Sequence, residues 1–123
     1  MKTIHTAKAP EAIGPYSQAI VHGGLLFTSG QIAINPASGQ VEADTIEGQT
    51  EQVMQNLAAL LEEAGASFDS VIKTTCFLSD MADFAAFNAI YDAYFVSKPA
   101  RSCVAAKQLP KNVLVEVELI AAV

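Results

Sequence analysis

Apolar and polar residues alternate most clearly near the end of the chain. Val113, Val115, Val117, Leu119 and Ala121 fall on one side of a period of two, and Leu114, Glu116, Glu118, Ile120 and Ala122 on the other. That period predicts a strand over 113–121 with two carboxylates on one face. Further strand runs are predicted at Thr3 to Thr6, Ser17 to His22, Leu25 to Ser29, Gln31 to Ile34, Val71 to Ser79 and Arg101 to Lys107. Gly23 and Gly24 between two of these runs signal a two-residue hairpin. Pro10, Gly14 and Pro15 mark Ala7 to Pro15 as irregular, and a turn is expected over Asn35 to Gly39.

Between the strands the period lengthens to that of a helix. From Thr45 to Ala64 the apolar positions Ile46, Val53, Leu57, Leu60 and Ala64 recur three, four or seven apart, and Gly65 supplies a stop. A second helix, capped by Asp80 or Asp83, carries Phe84, Phe87, Ile90, Tyr91, Tyr94 and Phe95 on one face and ends before Pro99. Asn88 shares that stripe and is expected to anchor a loop by hydrogen bonds. The order predicts a single α+β domain over 1–123: a mixed β-sheet with both helices packed on one face. Two helices leave the other face either solvated or covered by another subunit. If the short connection at 108–112 makes the last two strands an antiparallel hairpin, Cys103 stands opposite Glu116 and Arg101 opposite Glu118, all on one face.

Composition narrows the function classes. The chain has 123 residues, a mass of 13.0 kDa and a net charge of -6, with its seven basic residues scattered singly. A nucleic-acid binder concentrates such residues in a patch or stripe, so a nucleic-acid partner is disfavoured. Hydrophobic residues make up 51%, but 21 of them are alanine, so helix packing accounts for much of the excess. No signal-peptide run and no membrane-length apolar segment occur, which predicts a cytoplasmic protein. Cys76 and Cys103 lack metal-ligand spacing, and Cys76, in a β-branched run, is expected in the core. Neither GxGxxG nor GxxxxGK is present, and no His/Cys/Asp cluster occurs, so no cofactor and no metal are expected.

Candidate chemistry centres on Arg101, the only arginine, at the head of a strand after Pro99 and Ala100. A guanidinium there offers the planar, two-point contact that a carboxylate or phosphate needs. A surface side chain with its stem along apolar neighbours is the competing reading. Glu116 is a candidate general base or a structural ion-pair partner, and Glu118 is its rival by the same logic. Gly30, between Ser29 and Gln31, permits close backbone approach to a ligand or simply ends a strand. Tyr16, after Gly14 and Pro15, is placed to hold a phenol over a cleft or to pack.

Ile13 Gly14 Pro15 Tyr16 Ser17 Gln18, Thr28 Ser29 Gly30 Gln31, Pro99 Ala100 Arg101 Ser102 Cys103 Val104, and Leu109 Pro110 Lys111 Asn112 with Val115 Glu116 Val117 Glu118 occur in this order. Together they closely resemble the reactive intermediate deaminase family (RidA/YjgF), nearly end to end, and its arginine-containing deaminase subgroup in particular. The resemblance implies a chorismate-mutase-like fold and a homotrimer with sites in the clefts between subunits. The implied activity is hydrolysis of reactive imino and enamine acids, such as 2-aminoacrylate and 2-iminobutanoate, to 2-keto acids and ammonia without a cofactor. Arg101 would clamp the substrate carboxylate, Glu116 would hold or activate water, and Tyr16, Ser29, Gly30 and the backbone of Cys103 would line the pocket. Two further functions fall within the resemblance: an endoribonuclease, and a regulatory module that binds a metabolite without turnover. Many relatives continue Cys103 and Val104 with an acidic residue, valine, alanine and arginine, where this chain has Ala105, Ala106, Lys107 and Gln108. That departure bears on substrate range or subunit contacts.

Overall fold

The alternating runs assemble into one six-stranded sheet in a computed structural model describing Met1–Val123. In chain order the elements are β1 (Lys2–Ile4), β2 (Ala19–His22), β3 (Leu25–Thr28), β4 (Ile34–Asn35), β5 (Gln40–Val41), α1 (Ile46–Glu63), β6 (Val71–Leu78), α2 (Phe84–Tyr94), β7 (Ala100–Ala105) and β8 (Val115–Ala122). The sheet runs β1-β2-β3-β8-β6-β7, and β4 and β5 form a separate small ribbon. Every neighbouring pair in the large sheet is antiparallel except β6 and β7. The architecture is α+β, a mixed sheet with two helices, as its residue patterns predict. No helix is long and apolar enough to cross a membrane.

The expected β7–β8 hairpin does not form. β6 lies between the two strands, parallel to β7 and antiparallel to β8. Two features account for this. Helix α2 is a crossover connection, which delivers β7 alongside β6 in the same direction. β8 has Val115, Val117, Leu119 and Ala121 all buried, and so takes an interior position between β3 and β6. The registers then fix the faces. Thr74 stands beside both Arg101 and Leu119, and Cys76 beside both Cys103 and Val117. Phe77 stands beside Glu116 and Val104, and Thr75 beside Glu118 and Ser102. Arg101 and Cys103 therefore share the helix-covered face, while Glu116 and Glu118 point from the opposite one.

Helix α1 begins where Thr45 Oγ1 accepts from the Gly48 amide at 3.1 Å, and stops at Gly65, whose φ of 76° suits a residue without a side chain. Ile46, Val53, Leu57 and Leu60 are buried as their spacing predicts, Met54 and Leu61 widen the stripe, and Ala64 is half-buried. Asp80, not Asp83, provides the side-chain cap before α2, accepting from the Ala82 amide at 2.8 Å. Phe87, Tyr91 and Phe95 then face the sheet as a run of aromatic contacts, with Tyr91 stacked on Phe95 at 4.3 Å between centroids. Tyr94 donates to Glu51 at 2.5 Å and ties the two helices together. Cys76 is fully buried, and burial pushes its thiol up to about 12.

The irregular segments are held by buried carboxamides. Gln18 receives the Thr6 amide at 2.8 Å and donates to the carbonyls of Thr6, Ala9 and Pro10. From α1, Gln49 receives the Leu114 amide at 2.8 Å, and Asn56 donates to the carbonyls of Ile32 and Ile34, both at 3.0 Å. Each satisfies backbone groups that no strand partner reaches. Asn56→Leu keeps the branched shape but removes both hydrogen bonds, leaving the Ile32 carbonyl with only the Ile34 amide at 2.8 Å, so urea unfolding should show a loss of about 2 kcal/mol or more. A change within about 0.5 kcal/mol, the size of an ordinary surface substitution, would show that water takes over both carbonyls.

Candidate active site

After β3 the chain slips by one residue against β8. Phe27 pairs with Ile120, whereas the next bridge joins Gln31 and Val117 through hydrogen bonds of 2.8 and 3.1 Å. The extra residue is a bulge at Ser29 and Gly30, and it opens the wall of a cavity of about 330 Å³. Glu116 crosses directly over Gly30: a Cβ there would lie 2.8 Å from the Glu116 carboxyl carbon and closer still to Oε2. A side chain at position 30 would therefore push the Glu116 carboxylate out of its place over the bulge, whereas the backbone angle of Gly30 itself lies outside the left-handed region. Ser29 Oγ donates to the Ser17 carbonyl at 2.6 Å, and the Tyr16 hydroxyl accepts from the Ile13 amide at 3.2 Å. These contacts bind the 13–17 loop to the bulge.

Of the sequence-derived candidates, Tyr16, Ser29, Gly30 and Glu116 meet in this cavity. Gln18, Gln31, Ile32 and Pro110 line it too; sequence reasoning gave Gln18, Gln31 and Pro110 no separate role, although all three lie within the motif segments. The only charged residues in the lining are Glu11 and Glu116, both acidic.

Arg101 is elsewhere, which corrects the expected juxtaposition with Glu116 and Glu118. Its side chain lies on the helix-covered face, with Nη1 donating to Asn88 Oδ1 at 2.7 Å and Cζ 4.8 Å from the centre of the Tyr91 ring. Asn88 thus holds Arg101 and anchors no loop. No carboxylate pairs with Arg101; the ion pairs in the chain are His5 with Glu11 and Lys98 with Asp92. Cys103 follows on the same face, half-buried, on β7 at the edge of the sheet. An edge strand presents backbone groups with no partner in the chain.

Burial raises the Glu116 carboxyl above its ordinary range, and the nearby Glu118 charge raises it further. Such a group is a better proton acceptor than a free carboxylate once ionised. Burial also raises Cys103, and Arg101 only partly offsets this, so Cys103 stays a thiol near neutrality and is a poor nucleophile. No three His, Cys, Asp or Glu side chains are placed to hold a metal ion.

Fold and cavity together define a small α+β protein with an acidic pocket at the bulge between β3 and β8. The family model described as endoribonuclease L-PSP matches residues 6–123, and the chain belongs to that family, whose members also carry the names RutC, YjgF and Rid. A Lactococcus lactis protein named "Putative regulator AldR" is 56% identical over 100% of this chain and 98% of its own length. The 2-iminobutanoate/2-iminopropanoate deaminase of Escherichia coli K12 is 47% identical over 98% of this chain and 96% of its own. The crystal structure of E. coli TdcF with bound serine matches with a TM-score of 0.95 and 41% identity, covering 100% of this chain and 99% of that one.

The influence of Glu118 on Glu116 is directly measurable. Glu118→Gln removes a like charge, so the Glu116 carboxyl should titrate at lower pH than in the parent when followed by carboxyl-carbon NMR. An unchanged midpoint would assign the whole elevation to burial.

Proposed function

We propose that the protein hydrolyses reactive 2-imino acids, such as 2-iminobutanoate and the imine form of 2-aminoacrylate, to 2-keto acids and ammonia. We further propose that it does so at sites shared between subunits of a homotrimer. One observation carries this reading: the single arginine has no carboxylate partner and lies on the face of the sheet opposite the acidic cavity that holds Glu116. A carboxylate substrate cannot settle against Glu11 and Glu116 alone. A second copy that docks its β7 edge against the cavity supplies the missing cation, together with the backbone of Cys103. The face bearing Phe27, Phe77, Val104 and Ile120, partly exposed in the single chain, offers apolar surface for that contact. Head-to-tail docking of this kind closes into a ring when the rotation allows.

In the shared site Arg101 grips the substrate carboxylate at two points and fixes the C=N carbon. Glu116 takes a proton from water as the water oxygen bonds to that carbon and the C=N electron pair moves to nitrogen. Glu116 passes that proton to the nitrogen, completing the carbinolamine; the hydroxyl proton then travels through Glu116 to the nitrogen as the oxygen lone pair forms C=O, the C–N bond breaks and ammonia leaves. Carbon receives oxygen and releases nitrogen with no change of oxidation state, so no cofactor is needed. Tyr16, Ser29 and Gly30 bound the space around the reacting carbon. The E. coli deaminase relative supports this reaction class, and the serine of TdcF supports a ligand with a carboxylate. RNA cleavage finds no support in the charge distribution: the net charge is -6 and no basic residue lines the cavity.

The test generates 2-iminobutanoate in place with a coupled enzyme and follows ammonia, alongside calorimetry with 2-oxobutanoate. Glu116→Gln should lower turnover far more than it weakens 2-oxobutanoate, and Arg101→Lys should lose roughly 2 kcal/mol or more in kcat/KM, because an ammonium lacks the two-point contact. Near-parental turnover by Glu116→Gln would overturn its role toward water. Tight 2-oxobutanoate binding without ammonia release by the parent would make the protein a ligand-binding module.

A further inference from the structure

The hydrogen-bond and ring partners of the Arg101 guanidinium within the chain are all neutral, and it forms no ion pair. Asn88 Oδ1 accepts from Nη1 at 2.7 Å, and Cζ sits 4.8 Å from the Tyr91 ring centre and 5.4 Å from that of Phe84. The three partners fall at positions 84, 88 and 91, one face of α2. Tyr91 is itself fixed, by a 2.8 Å hydrogen bond between its hydroxyl and Thr74 Oγ1 and by stacking on Phe95. Burial raises its phenol, so the ring remains neutral at any physiological pH. The acidic neighbour in this groove, Asp92, pairs instead with Lys98 at 3.8 Å.

An aspartate at 88 would have nearly the same shape and would hold a guanidinium more strongly, through a charge-assisted bond. It would also neutralise the cation. Asparagine gives orientation without charge compensation, since its carbonyl fixes one nitrogen while the aromatic faces fix the plane. The four remaining N–H donors of the guanidinium make no hydrogen bond in the chain. A structural arginine in the same place would gain from a carboxylate partner; a receptor for an anion would lose by one.

We propose that Asn88 is a positioning residue that orients Arg101 through a neutral acceptor, leaving the guanidinium charge and its outer donors free for the carboxylate of a 2-imino or 2-keto acid. The ligand class rests on the function proposed above; the hold on Arg101 does not.

Because Arg101 is the only arginine, its guanidinium nitrogen signals can be followed by NMR without ambiguity. In the parent, without ligand, restricted rotation should give resolved Nη signals, and Asn88→Ala should average them. Identical signals in parent and Asn88→Ala would overturn the positioning role. By calorimetry, Asn88→Asp, folded by circular dichroism, should bind 2-oxobutanoate roughly tenfold or more weakly than the parent, because the new carboxylate occupies the cation. In the coupled imine assay the same variant should raise KM more than it lowers kcat. Parental affinity in Asn88→Asp would also overturn the proposal while leaving the function of the site intact. If the parent itself binds no 2-oxobutanoate although Asn88→Ala frees the guanidinium, the carboxylate reading of the site fails, and the substrate part of this proposal fails with it.

Discussion

The pairing of β6 with β7 in parallel, and with β8 antiparallel on its other edge, is the constraint on which the rest of this structure depends. Side chains directly across neighbouring strands share a face, so a central β6 transmits one alternation to both flanking strands. Arg101 then follows Thr74 and Leu119 to the helix side, and Glu116 follows Phe77 to the open side. Had β7 paired with β8, cation and carboxylate would have met within one chain. As folded, they are separated by the sheet itself, and any chemistry needing both requires a second copy.

The surroundings of Glu116 and of Arg101 are built differently. Around Glu116 the chain is irregular, and its shape comes from buried amide groups: Gln18 holds the 6–10 segment, Asn56 the 32–34 segment and Gln49 the approach to β8. These groups make a partly dry pocket without bringing in charge, so the carboxyl sits above its usual range. Around Arg101 the structure is regular, a strand edge against one helix face, and the guanidinium is oriented by a carbonyl oxygen and two rings. Burial raises both the Glu116 carboxyl and the Cys103 thiol, which makes the one a stronger base once ionised and the other a weak nucleophile.

Much of the fold was legible in the residue pattern, because local periodicity decides faces. The hairpin around Gly23 and Gly24 forms with both glycines in the left-handed region, and the β8 alternation gives the buried and open rows it predicts. What was not legible is which strand lies beside which. A short connection at 108–112 favours a hairpin locally, and the α2 crossover, which lays β7 parallel to β6 and leaves β6 between β7 and β8, overrides that preference. Asn88 was misjudged for a related reason: its partner lies 13 residues away, across a crossover that periodicity does not encode. Gln18, Gln31 and Pro110 lie within segments that read as motifs, but their places in the cavity depend on the bulge at Ser29 and Gly30, which leaves no periodic signature.

The most direct test of the central claim, that one active site takes Arg101 from one subunit and Glu116 from another, is complementation between two inactive variants. Arg101→Ala and Glu116→Gln, unfolded together and refolded as a mixture, should recover about a quarter of parental imine hydrolysis, since a mixed trimer of head-to-tail contacts restores one intact site in three. Each variant refolded alone should stay inactive. A mixture no more active than its components, with mixed oligomers demonstrated by mass spectrometry, would mean that the two residues do not serve a common site across subunits.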